Sequence, residues 1–236
     1  MGRDRGGVMA YAMQGPNLIR SAQGPDEAGA LAHLAFDASR TIHIGDGAPD
    51  ALPCTILPEN GTRLPALTQT NPPDVISAWV RLWIAGALAQ RPNWDGVICA
   101  MQGDVRHWLH VSAGEVISCQ STLTPQLVSA LDGTTPPDAN AVADSLSRPE
   151  RLAAHLRAAQ VTGTHAAITG HLLGVELAAA RPYWLGQQVI LVAPDGDAAG
   201  VGAALSQQGA PVATLAPDQL LPAGLAALAA AFGLTD

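Results

Sequence analysis

Apolar and polar positions along Val97–Val111, "VICAMQGDVRHWLHV", follow a strand, a tight Gly-Asp turn and a second strand. Val97, Cys99 and Met101 recur at period two, and Trp108 faces away from His107. "EVISCQSTL" continues the pattern as a third strand. Three antiparallel strands over Val97 to Leu123 are therefore expected at the centre of a sheet. A different pattern governs "NPPDVISAWVRLWIAGALA", whose Trp and aliphatic residues nearly encircle a helix. Asn71 as N-cap, Pro72 in the first helical position and Asp74 in a pair like a capping box place its start near Asn71. Such a helix is expected to be buried, packed between the two halves of the chain.

The remaining elements follow from shorter signals. Val8–Gln14 and Asn17–Ala22 form a hairpin around Gly-Pro, and Asp26–Ser39 a helix rich in Ala and Leu. "RTIHIGDGAPD" is a short strand running into a glycine-rich loop, and Ala51–Leu67 holds short extended pieces broken by Pro53, Pro58 and Gly61. Thr124-Pro125 opens a short helix. Asp138–Gln160 gives two helices split near Pro149, and Thr164–Ala180 a longer one. A strand at Gln188–Ala193, a helix reaching Gln208, a strand at Pro211–Thr214 and a final helix close the chain. Antiparallel strands followed by helices and then strand-helix-strand-helix specify an α/β fold with helices on the faces of a mixed sheet.

Composition narrows the function classes. Among 236 residues, 48% are hydrophobic and 14% charged, which is a globular balance. The net charge of -8, without a basic run, argues against nucleic acid and anionic membrane as partners. All twelve basic residues are arginine, so a Walker-type phosphate loop and a lysine Schiff base are both excluded. Cys54, Cys99 and Cys119 are far apart and form no CxxC pair, so neither a zinc site nor a disulfide framework is expected, and a cytoplasmic location fits. No secretory leader is expected, and the apolar run Ala166–Ala180 is too short and too interrupted to span a membrane.

Three strings carry a resemblance. "MQGDVRHW" is similar to a Met-Pro-Gly-Thr-His-x-Lys-Trp hairpin, matching at Met101, Gly103 and Trp108. "ITGHLLGVELAAARPYW" is similar to a Ser-Gly-Leu-Leu-Ile-Gly-x-Glu helix, matching at Gly170, Leu172, Gly174 and Glu176, with Leu173 in place of the Ile. "VILVAPDGDAAGVGAALSQQGAPVATL" resembles a closing strand-turn-helix-strand that holds adenosine. Together they resemble the 2-dehydro-3-deoxygalactonokinase family. That resemblance implies an actin-like (ribonuclease H-like) sugar kinase fold with a mixed sheet, helices on its faces and a reduced N-terminal half. The division it implies is a reduced N-terminal subdomain over 1–94 and an ATPase subdomain over 95–236. The implied reaction moves the ATP γ-phosphoryl, with Mg²⁺, onto the terminal hydroxyl of a 2-keto-3-deoxy sugar acid. A homodimer is compatible with it.

The departures from the family pattern are concentrated where phosphate chemistry lies. "MGRDRGG" has no Asp-x-Gly-Thr; a true start codon upstream of Met1 that restored this motif would strengthen the kinase reading sharply. The Arg-Gly-Glu-Glu motif falls on Ser77–Val80 without its carboxylates. In the hairpin, the Thr, His and Lys become Asp104, Val105 and His107, and the Met-Thr-Gly-Glu motif falls on Cys119–Thr122 without its Glu. The hairpin thus survives as fold with most of its phosphate-binding chemistry missing. A catalytically inactive relative that binds a sugar acid or a partner protein is the alternative to a kinase.

The candidate residues follow. Asp104 and Asp46 are the candidate catalytic carboxylates, and Gly103, Arg106, Asp195 and Gly196 the candidate cofactor contacts; no metal ligand set is expected from the protein. Each has a plain structural reading. Gly103-Asp104 is also an ordinary hairpin turn, Asp195 an ordinary N-cap, and Asp46 and Asp50 bounds of a solvated loop. Arg106, two residues from Asp104 on one strand face, is a candidate partner for that carboxylate. His107 and His110 face opposite ways and His165 and His171 share no helix face, so all four read as structural. Glu176, inside an apolar helix, would have its pKa raised by burial; a surface position or a capping role are the other readings.

Overall fold

The computed structural model describes residues 7–36, 40–89 and 91–234. Its chain divides into two compact units. One gathers Met1–Trp94, Gly114–Val116 and Asp218–Asp236, and the other Asp95–Ala113 and Ile117–Pro217.

In the first unit, β1 (Val8–Gln14) and β2 (Asn17–Gly24) form an antiparallel hairpin with a register shift after Ala12. Asp26 caps α1 (Glu27–Leu34), its Oδ1 accepting the Gly29 amide at 2.7 Å. The rest of the expected helix is shorter than the sequence suggests, because Ala35 turns left-handed; 37–39 lie outside the described residues. Short strands follow: β3 (His43–Ile44), β4 (Asp50–Ala51), β5 (Cys54–Thr55), β6 (Arg63–Leu64), β7 (Leu67–Gln69) and β8 (Asp74–Ile76). β3 pairs with β6, and β7 lies between β4 and β8. α2 (Ala78–Leu88) comes next.

The start of α2 corrects the sequence reading. Asn71 and Pro72 lie in a turn, and Asp74–Ile76 pairs antiparallel with β7. Strand pairing claims these residues, and the cap is Ser77, whose Oγ accepts the Val80 amide. Val80, Leu82, Ile84 and Ala87 of α2 are buried, while Trp79 and Trp83 are half-buried. Arg81 is the buried exception, at 1% exposure. Its guanidinium donates to the Ile56, Pro65 and Thr55 carbonyls and to Asp50 Oδ2 at 2.7 Å, so four oxygens receive a charge that burial would otherwise penalise.

In the second unit, β9 (Gly96–Gln102), β10 (Val105–Ser112) and β11 (Glu115–Thr122) form the expected three strands. Ala113 and Gly114, both at positive φ, make the second turn, as hairpins of type I′ require. Glu115 and Val116, which belong to the first unit, also pair with β5. Helices α3 (Thr124–Ala130), α4 (Ala139–Ser147), α5 (Leu152–Thr162), α6 (His165–Ala179) and α7 (Arg181–Trp184) follow, with a 3-10 turn at Pro149–Arg151 between α4 and α5. β12 (Val189–Val192), α8 (Asp195–Gln207) and β13 (Val212–Leu215) then form a parallel strand-helix-strand, and α9 (Pro217–Ala231) carries the chain back into the first unit. The strand order β13-β12-β9-β10-β11 is a mixed sheet: β12 is parallel to both β13 and β9, and β9 is antiparallel to β10. Its core joins Cys99, Trp108, Leu177, Trp184, Leu191 and Leu205. Among the described residues, no helix is long and apolar enough to cross a membrane.

Candidate functional site

Two features leave the sheet of the second unit at the same end. β9 and β12 are parallel neighbours, with Val192 paired to Ala100. The turn at Gly103-Asp104 follows the carboxyl end of β9, and the first turn of α8 follows the carboxyl end of β12. Open α/β sheets bind ligands beyond this edge. Gly103 has φ +56, whereas Asp104 is not left-handed, the pattern of a type II′ turn that needs Gly in its first central position. A Cβ added at Gly103 or Gly196 would meet nothing within 4 Å, so both backbones can be approached closely. The structure thus brings Gly103, Asp104, Asp195 and Gly196 to one edge, all exposed. Asp195 is not the N-cap of α8. Pro194 occupies that position without a side-chain bond, and Asp195 and Asp197 lie in the first turn, where the helix dipole favours carboxylates.

Arg106 does not belong to that edge in the way expected. It is 6% exposed, and its Nη1 donates to Glu176 Oε2 at 2.7 Å. Trp108, on the same face of β10, donates its indole N–H to Glu176 Oε1 at 2.8 Å. Both carboxylate oxygens of Glu176 are therefore engaged from β10. The pairing of Arg106 with Asp104 expected from the sequence gives way to this one: Arg106 turns inward from β10, while Asp104 sits in the turn, outside the strand. The surface and capping readings of Glu176 are corrected too, since it is 3% exposed within the sheet–helix core. Arg106 Nε lacks a hydrogen-bond partner.

The helix that delivers Glu176 is seated by its glycines. A Cβ at Gly170 would lie 2.5 Å from the Asp138 carbonyl oxygen, and one at Gly174 2.4 Å from that of Val142. Such distances are unattainable for real side chains, so α4 can lie against α6 only while both positions are Gly. The motif residues Gly170, Gly174 and Glu176 thus act together: two glycines fix the helix against α4, and the carboxylate reaches the hairpin.

The sequence profile of the 2-keto-3-deoxy-galactonokinase family matches residues 64–228, well over half of the chain. The chain belongs to this family. Among solved structures, it is similar to the crystal structure of a protein from Sinorhizobium meliloti provisionally named 2-dehydro-3-deoxygalactonokinase, at a TM-score of 0.66 and 23% identity over 78% of this chain and 73% of that one. That likeness is one of fold. No curated protein matches the chain in sequence.

Within this 2-keto-3-deoxy-galactonokinase family member, the other candidate carboxylates lie in the first unit. Asp46 is exposed and 3.3 Å from Arg63 Nε, and Asp50 holds the buried Arg81. Asp50 is thus a structural anchor, where the sequence had suggested a solvated loop. Three of the histidines have structural contacts: His107 Nδ1 lies 2.6 Å from Ser121 Oγ, His165 Nδ1 2.7 Å from the Asp132 carbonyl, and His171 Nδ1 2.9 Å from Ser145 Oγ. Among the described residues no group of three His, Cys, Asp or Glu is placed to hold a metal ion.

Proposed function

We propose that the chain is a sugar-acid kinase of actin-like fold, with ATP and Mg²⁺ as weakly held co-substrates and the terminal hydroxyl of a 2-keto-3-deoxy sugar acid as acceptor. The observation that carries this reading is that the Gly103-Asp104 turn and the first turn of α8 follow the carboxyl ends of neighbouring parallel strands, in a member of a sugar-kinase family. The residues suit the co-substrates in part. Gly103 and Gly196 leave open space beside their backbones for phosphate oxygens and a nucleoside, as helix N-termini and tight turns do elsewhere. Asp104 repels a phosphate directly, but with Mg²⁺ held between them the sign reverses. When bound, that ion would neutralise charge on the transferring phosphoryl group. Asp195, in the first turn of α8, is the acceptor this reading gives to the ribose hydroxyls. No permanent cation of the hairpin takes part, since Arg106 is committed to Glu176.

That last observation favours a second reading, in which the scaffold binds a sugar acid without transferring phosphate. A coupled ADP-release assay with 2-keto-3-deoxygalactonate, paired with calorimetric titration of the sugar acid, separates the two. ADP release that requires the sugar acid and is lost in Asp104→Asn supports the kinase. Sugar-acid binding without ADP release supports the second reading, and the absence of both overturns the two together.

A further inference from the structure

A polar cluster joins α4, α5 and α6, apart from the sheet edge. Ser145, fully buried on α4, has its Oγ 3.0 Å from His155 Nδ1 on α5 and 2.9 Å from His171 Nδ1 on α6. The two rings lie 4.5 Å apart, tilted by 32°. Asp144 Oδ2 is 3.2 Å from His155 Nε2. The order of groups imitates a catalytic triad, but a fully buried hydroxyl between two imidazoles cannot meet a substrate. Its role lies elsewhere.

The network assigns its own protons. A carboxylate only accepts, so His155 carries a proton on Nε2, and while the ring is neutral it presents a lone pair at Nδ1. Ser145 donates to that lone pair and accepts from His171 Nδ1–H. Donation runs one way, from His171 through Ser145 and His155 to Asp144. We propose that this hydroxyl-bridged pair is a proton-operated clasp that holds α5 against α4 and α6 while an imidazole stays neutral, and loosens α5 when both are protonated. In the doubly charged state the hydroxyl faces two N–H donors and must surrender its own acceptor, and two like charges stand a ring's width apart.

Asp144, the Ala141 backbone and Asp138 offset that second charge only in part, since burial and the His155 charge outweigh them. From α4, Asp138 and Asp144 face the pair, but Arg148 already pairs with Asp144 and Arg151 of the following turn also acts on it. α5 contributes His155, and α6 contributes His171 with His165 nearby along a groove of about 560 Å³ that gives protons access. Burial first, then the neighbouring His155 charge, holds the His171 imidazole below its ordinary value of 6.5. A histidine held low in the folded state binds fewer protons there than in the unfolded chain. Its stabilisation is present above the ordinary value and is lost as pH falls from there through the lower folded one. α5 has little else to hold it: Ala159 is its single buried residue, with Leu152 and Leu156 packed partly against Ile168 and Leu172.

Hydrogen exchange of the 152–162 amides, corrected for intrinsic rates, tests the clasp at pH values about one unit either side of the ordinary imidazole value. In the wild type, protection of α5 is expected to fall about ten-fold more than that of α8 on acidification, and in His171→Gln the two helices should respond alike. A second readout is the His171 Cε1–H titration by NMR, whose midpoint should rise in His155→Gln. Equal acid sensitivity of α5 in wild type and His171→Gln, or a His171 midpoint unmoved by His155→Gln, overturns the proposal.

Discussion

Glu176 is the residue on which the second unit's hairpin and α6 depend together. Glu176→Gln keeps the shape but removes the charge, and one of its two polar atoms becomes an N–H facing donors. Arg106 is then a nearly buried guanidinium without a counter-charge, and removing one partner of a buried pair costs about 3–5 kcal/mol. Arg106→Met leaves the opposite defect, a buried carboxylate held only by the Trp108 indole, at a similar cost of about 3–5 kcal/mol. Removing both charges, as in Arg106→Met with Glu176→Gln, leaves the Gln carbonyl to accept the Trp108 N–H and only the Gln N–H donors unpaired, at about 1–3 kcal/mol. The two single costs thus sum to about 6–10 kcal/mol, so the double variant should be more stable than additivity predicts by at least about 3 kcal/mol. Denaturant unfolding followed by tryptophan emission measures each variant. A Glu176→Gln cost under about 1 kcal/mol, or additive single costs, would refute a buried, mutually dependent triad.

Four further outcomes follow from particular contacts. Ser77→Ala should lower stability by about 0.5–2 kcal/mol, and Asn71→Ala should not, because Ser77 and not Asn71 caps α2; thermal unfolding of the two variants checks this. Burial raises the Cys99 thiol pKa well beyond its ordinary range, and Cys54, half-buried, is raised less by the same cause; a thiol reagent at mildly alkaline pH should modify Cys54 first, and Cys99 only on unfolding. The Asp95 carboxyl lies below its ordinary value, chiefly because the Ala113 amide donates to it. Its stabilisation is therefore present above about pH 4 and lost as pH falls through the folded value, so Asp95→Asn should flatten the acid limb of a stability–pH profile. Without Arg106, two charge-assisted hydrogen bonds to a triphosphate, each worth about 1.5–3 kcal/mol, are missing, which weakens Mg²⁺-ATP affinity by about two to four orders of magnitude; a calorimetric dissociation constant in the low micromolar range would show the phosphate site misplaced.

The sequence made the second unit more legible than the first. Period-two alternation around Gly103 and the proline at 149 were local signals, and local structure obeyed them. The short strands between Asp50 and Ile76 carry no such period, since two or three residues are too few to show one. Their organiser is Arg81, a charged residue in an apolar helix, whose four oxygen partners lie 16 to 31 positions away in the chain. Nothing local marks such a hub. The false start of α2 has the same origin: Asn71 and Ser77 are both acceptable caps, and the pairing of Asp74–Ile76 with Leu67–Gln69 decided between them.

Arg106 is different, because its fate was written in the alternation itself. Residues two apart on a strand share a face. Trp108, a large aromatic in the central strand of a sheet, was bound for the core, and Arg106 therefore had to follow it inward. A guanidinium on a core face needs a buried carboxylate. Glu176, seven residues beyond Thr169 in an otherwise apolar helix, was the one candidate of that kind. Reading the arginine as a phosphate ligand gave weight to its nearness to Gly103 in sequence, where its side-chain direction was the stronger guide. The same parity sends His107 to the opposite face, toward Ser121 on the neighbouring strand. The position that carries the family's Lys in the resembling hairpin therefore points away from the Arg106 face, and its chemistry is set by the strand beside it.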